Sequence, residues 1–85
     1  MRITWEIDPN VSGYADADNA QAASEVLTHM ILDAYADAAL LTRTHVMLNI
    51  AAPLAERINR QGAAAVAQGN EWTDEAGGVR VRLTP

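Results

Sequence analysis

The chain of 85 residues contains no cysteine, and all six of its basic residues are arginine. Without cysteine, disulfides, thiolate metal sites and thiol nucleophiles are excluded. Eleven acidic residues give a net charge of -5, so attraction to nucleic-acid phosphates is not expected. No segment reaches the roughly 18 consecutive apolar residues of a membrane span, and the N-terminus lacks the apolar core of a signal peptide. We therefore expect neither a direct nucleic-acid partner nor a membrane partner.

What is present is typical of one small globular domain, residues 1–85. Hydrophobic residues make up 49% of the chain and charged residues 20%, which is too apolar for a disordered tail. Alanine is abundant and phenylalanine is absent, so the core buries little apolar area per residue. Because small cores of this kind are often stabilised by oligomerisation, we expect association with a second copy or with another protein.

The N-terminal segment has the alternating pattern of a half-buried strand. Ile3, Trp5 and Ile7 lie on one side of residues 2–8, with polar side chains between them. Residues 9–13 are turn formers and are expected to end the strand.

The next segment predicts a long helix, residues 18–41. Asp18 is the expected N-cap, with Gln21 reaching back to complete a capping box. An apolar stripe with helical spacing follows: Ala23, Leu27, Met30, Ile31, Ala34, Ala38 and Leu41.

A second helical segment, residues 43–68, contains a proline near its middle. Its apolar stripe runs from Met47 to Ile58 straight through Pro53. Either one helix kinks at this proline, or a second helix begins with the proline in its first turn.

The C-terminal segment predicts a β-hairpin. Residues 71–73 and 79–83 alternate on either side of a glycine-containing turn. If the last strand lies beside the first, two arginines match two carboxylates across the strands: Arg80, Arg82, Glu6 and Asp8. The predicted fold is α+β, a two-layer β-α-α-β-β sandwich in which this hairpin pairs with the N-terminal strand.

No spacing in the sequence predicts an active site. His29, Asp33 and Asp37 recur at steps of four and suit a weak cation site, but a solvated polar face explains them better. Glycine-rich phosphate loops, nucleophile elbows and dinucleotide motifs are absent from the sequence. We predict no catalytic residue, no cofactor and no metal.

Charge is divided unevenly along the chain. Residues 1–40 carry seven acids and one arginine, whereas residues 41–85 carry four acids and five arginines. An acidic surface is suited to a basic partner, although solubility alone also explains it. Aromatic residues near loops are candidate anchors, with core burial as the alternative. The candidate interaction residues are Tyr14, Asp16, Asp18, Glu25, Asp33, Asp37, Trp72, Arg80 and Arg82.

The hairpin segment contains an ordered set of residues: Trp72-Thr73-Asp74, Gly77, Arg80 and Leu83. In this order it resembles tailed-phage virion proteins of the minor tail and tail-completion type, in which an alanine-rich helical stretch leads into a similar turn. Glu71 stands where that family usually has proline. The resemblance implies a subunit of a ring in the tail or at the head–tail junction, with no catalytic residues to carry over.

These observations favour a non-enzymatic assembly or interaction protein, with a phage virion component as the particular expectation. We expect a homo-oligomer, located in the bacterial cytoplasm or in the virion. The alternative is a small acidic phage-encoded inhibitor that presents its acidic face to a host or defence nucleic-acid-binding complex. The inhibitor hypothesis can be distinguished from the assembly hypothesis, because binding through an acidic face weakens as the salt concentration rises.

Overall fold

The computed structural model describes residues 1–85. A four-stranded antiparallel sheet, in the order β2-β1-β4-β3, has two helices packed on one face. The strands are β1 (Arg2–Ile7), β2 (Val11–Asp16), β3 (Trp72–Ala76) and β4 (Val79–Thr84), and the helices are α1 (Ala20–Ala34) and α2 (residues 40–67). The α+β class and the pairing of β1 with the C-terminal hairpin are confirmed.

Both central strands have one face on the core and one face in solvent. On β1 the alternation predicted for residues 2–8 is confirmed, although the strand ends at Ile7. On β4 every second side chain from Val79 to Leu83 is buried. The inner face of the sheet is therefore apolar and the outer face is polar, as period-two patterning dictates.

The strand β2 contradicts the expectation that residues 9–13 form only a turn. The chain reverses at residues 8–10 and returns as an edge strand, with Gly13 opposite Trp5 on the inner face. A Cβ at Gly13 would lie 2.8 Å from Cζ2 of Trp5. The glycine that indicates a turn in the sequence instead gives the indole room to cover the strand.

The N-cap of α1 lies one residue later than predicted. Asn19 is the N-cap, and its side chain accepts a hydrogen bond from the Ala22 amide at 2.8 Å. The prediction that Asp18 and Gln21 form a capping box is wrong, because the Gln21 side chain donates to Glu25 at 2.9 Å instead.

The end of α1 lies at Ala34, so the predicted span of 18–41 is wrong at both ends. Leu27 and Ile31 are buried as expected, but Leu41 belongs to the next helix and is 84% exposed. Residues 35–39 contain no glycine or proline, so local propensity does not stop the helix. The chain reverses there because α2 packs back against α1.

The helix α2 is continuous through Pro53. It consists of Leu40–Val46, Met47–Ala51, Ala52–Arg57, Ile58–Gly62 and Ala63–Ala67, the second and fourth being π-helical turns. In the first π-turn the Ala52 amide donates to the Met47 carbonyl, and this wider turn accommodates the missing donor of the proline. At about 1.5 Å per residue the helix is roughly 42 Å long, which matches the 40 Å longest dimension of the molecule.

Two glycines show which part of α2 lies over the sheet. In the β3–β4 turn Gly77 has a φ of +52°, and a Cβ there would lie 2.7 Å from Cγ1 of Ile50. Near the other end, a Cβ at Gly62 would lie 3.1 Å from Cε3 of Trp72. The hairpin therefore runs beneath residues 50–62, and residues 40–48 extend beyond the turn end of the sheet.

Candidate interaction surfaces

The outer face of the sheet is polar, and its arginines are paired. Arg80 donates to Glu6 at 2.9 Å and to Asp8 at 3.3 Å. The hydrogen bond with Glu6, followed by the charge of Asp8, raises the pKa of Arg80 above its ordinary value. Arg82 shares the outer face with Glu6 as predicted, but it pairs with Glu71 at 3.1 Å, so its predicted charge match with Glu6 and Asp8 is not formed. Arg82 lies two residues beyond Arg80 on β4, which places it about 7 Å further along the strand.

Tyr14 and Asp16 lie on the outer face of β2, beside Arg2 of β1. The Arg2 guanidinium carbon lies 4.5 Å from the Tyr14 ring centroid, and its Nε donates to Asp16 at 2.9 Å. The hydrogen bond and the positive charge of Arg2 hold the pKa of Asp16 below its ordinary value. Tyr14 is 64% exposed, but it lies on an edge strand and not in the predicted loop.

The acidic side chains of the N-terminal half are spread along the molecule. Asp18 follows β2, Glu25 lies on α1, and Asp33 and Asp37 lie at the end of α1 and in the turn after it. None of these four forms a salt bridge, whereas Asp16 is paired with Arg2. No group of three or more His, Asp or Glu side chains is arranged to hold a metal ion.

Trp72 is half-buried on the inner face of β3, opposite Leu83. Its indole packs against the core and covers Gly62. The sequence left open whether Trp72 is a core residue or an exposed anchor for a partner. In the structure its side chain packs against the core.

The most apolar exposed surface is one that the sequence analysis did not single out. We define the helical tip as residues 32–48, where α1 ends and α2 begins. Leu40 is 69% exposed, Leu41 84% and Leu48 64%. Val46 is the one buried residue of the first segment of α2, so this end of the helix has a small buried side and a wide apolar exposed side.

These leucines lie together on the helix surface. At 3.6 residues per turn, Leu40, Leu48 and Leu41 fall within one stripe, with Thr44 at its centre and Val46 on the opposite side. A groove of about 630 Å³ lies beside the stripe, between α1 and α2. Its apolar wall consists of Leu32, Ala36, Leu40, Met47 and Leu48.

The rim of the tip carries both signs of charge. Asp33 and Arg43 line the groove, and Asp37 lies exposed in the turn between the helices. Arg43 is the only arginine of the chain that forms no salt bridge. The tip therefore has an apolar centre and a rim of unpaired charges, which is the usual anatomy of a protein-binding surface.

Sequence patterning missed the tip because it assigned Leu41 to a buried stripe. The available signal was the adjacent pair Leu40-Leu41, followed by Met47-Leu48. Consecutive apolar residues point about 100° apart on a helix, so a small core cannot bury both members of each pair.

No family model matches the chain, and no curated protein or solved structure shows significant similarity to it. Among its helices, none combines the length and the apolar character needed to span a membrane.

Proposed function

We propose that the chain is a non-enzymatic interaction protein that binds another polypeptide through the helical tip. The observation that carries this proposal is the exposure of Leu40, Leu41 and Leu48 on one continuous stripe. Contiguous apolar patches on soluble proteins are commonly binding surfaces. Full burial of a leucine side chain is worth about 1.5–3 kcal/mol, so three such residues supply much of the energy of a contact.

The tip is better suited to this role than the outer face of the sheet. On that face the arginines Arg2, Arg80 and Arg82 already have carboxylate partners within the chain. A partner docking there would have to desolvate these pairs, and new contacts would offset that penalty only with good geometry. At the tip, by contrast, docking removes apolar surface from water.

A photo-crosslinking experiment tests this proposal. A photoreactive amino acid is placed at Leu41, and as a matched control at the exposed Thr4 of the outer sheet face, in cells that naturally produce the chain. We expect a protein adduct from position 41 and none from position 4. Absence of an adduct at position 41, with the variant folded and expressed, overturns the proposal.

The assembly that we propose is a phage tail or head–tail junction, and its support is the resemblance over Trp72–Leu83. In the fold this segment forms the β3–β4 hairpin beneath α2, which leaves the tip free for subunit contacts. Mass spectrometry of virions purified from the producing cells tests this step. Stoichiometric presence in virions supports it, and presence in the cell lysate alone contradicts it.

A second candidate function is the acidic inhibitor, and one observation favours it. Asp18, Glu25, Asp33 and Asp37 form no salt bridge, so their charges are available to a basic partner. Binding of that kind weakens steeply with salt and with the Glu25→Gln substitution, which lies outside the tip. Binding through the tip depends less on salt and does not respond to this variant.

A further inference from the structure

We infer that the occupant of the helical tip is a second copy of this chain, packed tip to tip about a twofold axis. The inference rests on the proposed function of the tip as a protein-binding surface. It goes beyond that proposal by naming the partner and the geometry of the contact.

The first argument is charge complementarity. In a twofold contact the same patch is used by both copies, so every group must meet a suitable group of the same patch. The tip carries such complementary groups, because Arg43 and the carboxylates of Asp33 and Asp37 are all unpaired within the chain. Arg43 of each copy can pair with Asp33 or Asp37 of the other. The other five arginines are already paired, so the tip is the only surface where an unpaired arginine lies near unpaired carboxylates.

The second argument is the spacing of the apolar stripe. Leu40 and Leu48 lie equally far from Thr44 along α2, and together they span about 12 Å at 1.5 Å per residue. With a twofold axis near Thr44, antiparallel helices place Leu40 of one copy against Leu48 of the other. The small threonine at the crossing lets the helices approach closely, and Leu41 extends the contact on one side.

Charge-swap variants test this arrangement by sedimentation equilibrium. The wild-type chain is expected to show a concentration-dependent monomer–dimer equilibrium. Arg43→Asp alone, and Asp33→Arg with Asp37→Arg, each place like charges together across the axis, so each should weaken dimerisation at least about tenfold. An equimolar mixture of the two variants brings opposite charges together and should restore a heterodimer with close to wild-type affinity.

Two further variants complete the experiment. Leu41→Glu with Leu48→Glu is expected to abolish dimerisation. Arg60→Asp makes the same change in charge as Arg43→Asp on an exposed part of α2 away from the tip, and it should leave dimerisation unchanged. Circular dichroism of every variant establishes that the fold is kept.

The outcomes separate this inference from the proposed function. A wild-type chain that stays monomeric at millimolar concentration overturns the inference, and so does a dimer that ignores the tip variants. If the crosslink from position 41 then joins a different polypeptide, the proposed function stands and only the second copy is rejected. A monomer that also gives no adduct at position 41 overturns both.

Discussion

Arg57 of α2 and Asp74 of β3 form an ion pair across the interface between helix and sheet, with side chains 35% and 24% exposed. Asp74 lies on the inner side of β3, opposite Val81, and it also accepts a hydrogen bond from the Glu75 amide at 2.8 Å. A carboxylate therefore occupies a position that strand patterning would give to an apolar residue. Arg57 is its compensating partner on the helix.

We predict that this pair contributes more to stability than an exposed pair on the same helix. A double-mutant cycle with Arg57→Gln and Asp74→Asn, followed by urea unfolding, should give a coupling free energy of about 1 kcal/mol. The control cycle uses Arg60 and Glu56, whose side chains are 77% and 66% exposed; it should give about 0.3–0.5 kcal/mol. Equal couplings would contradict the account of this interface.

A second prediction concerns the carboxylate of Asp16. Because Arg2 lowers its pKa in the folded state, the pair stabilises the fold above the pKa of the unfolded chain. That contribution is lost as the pH falls through the lower, folded pKa. Titration by NMR should therefore find Asp16 below its ordinary value in the wild type and close to it in Arg2→Gln. An unchanged pKa in that variant would show that Arg2 is not the cause.

The turn glycines give a third prediction, because two of them differ only in their surroundings. Gly69 and Gly77 both have positive φ, but a Cβ at Gly69 would meet nothing within 4 Å, whereas one at Gly77 would overlap Ile50. Gly69→Ala should cost about 1–2 kcal/mol of unfolding free energy from backbone strain alone. Gly77→Ala should cost a further 1–3 kcal/mol or so from overpacking.

Shortening the Ile50 side chain tests whether its overlap with a Cβ at position 77 causes the larger loss of stability in Gly77→Ala. The substitution Ile50→Val removes the Cδ1 methyl that faces the turn, so it should destabilise the Gly77→Ala variant less than it destabilises the wild type. Additive effects would rule out this contact as the source of the larger loss.

A fourth prediction concerns Pro53. Since the π-turn before it already accommodates the missing amide, Pro53→Ala should change the free energy of unfolding by less than about 1 kcal/mol. Introducing a proline two residues later, as Ala55→Pro, should cost about 3 kcal/mol or more, because the turn immediately before that position is ordinary α-helix. Chemical denaturation of both variants gives the comparison, and a similar loss for both would refute the role of the π-turn.

Period-two alternation was enough to predict β1, β4 and their pairing, because every inner position from Ile3 to Ile7 is strongly apolar and buried. The strand β2 escaped prediction because two of its inner positions carry small residues, Gly13 beneath Trp5 and Ala15 opposite Ile3. Patterning cannot distinguish such a strand from a loop, since the apolar surface that covers it comes from a neighbouring strand.

The helix boundaries and the tip depend on tertiary packing, which local sequence does not encode. No glycine or proline lies between Ala34 and Leu40 to end the helix, and the reversal there is set by the packing of α2 on α1. The match of Arg80 with Glu6 and Asp8 was predicted from the alternation of the first and last strands alone, and Arg80 lies directly opposite Glu6. The tip was missed because one-dimensional patterning cannot show that α2 extends beyond the sheet.

The central claim is that the helical tip is the association surface, and an NMR dilution series tests it residue by residue. Amide signals are recorded for the wild-type chain from low to high concentration, with Leu41→Glu/Leu48→Glu as the control. The account predicts concentration-dependent shifts confined to the ends of the helices, around Asp33–Asp37 and Leu40–Leu48, and none in the control. Shifts centred on the edge strands β2 and β3, or no shifts at any concentration, would contradict it.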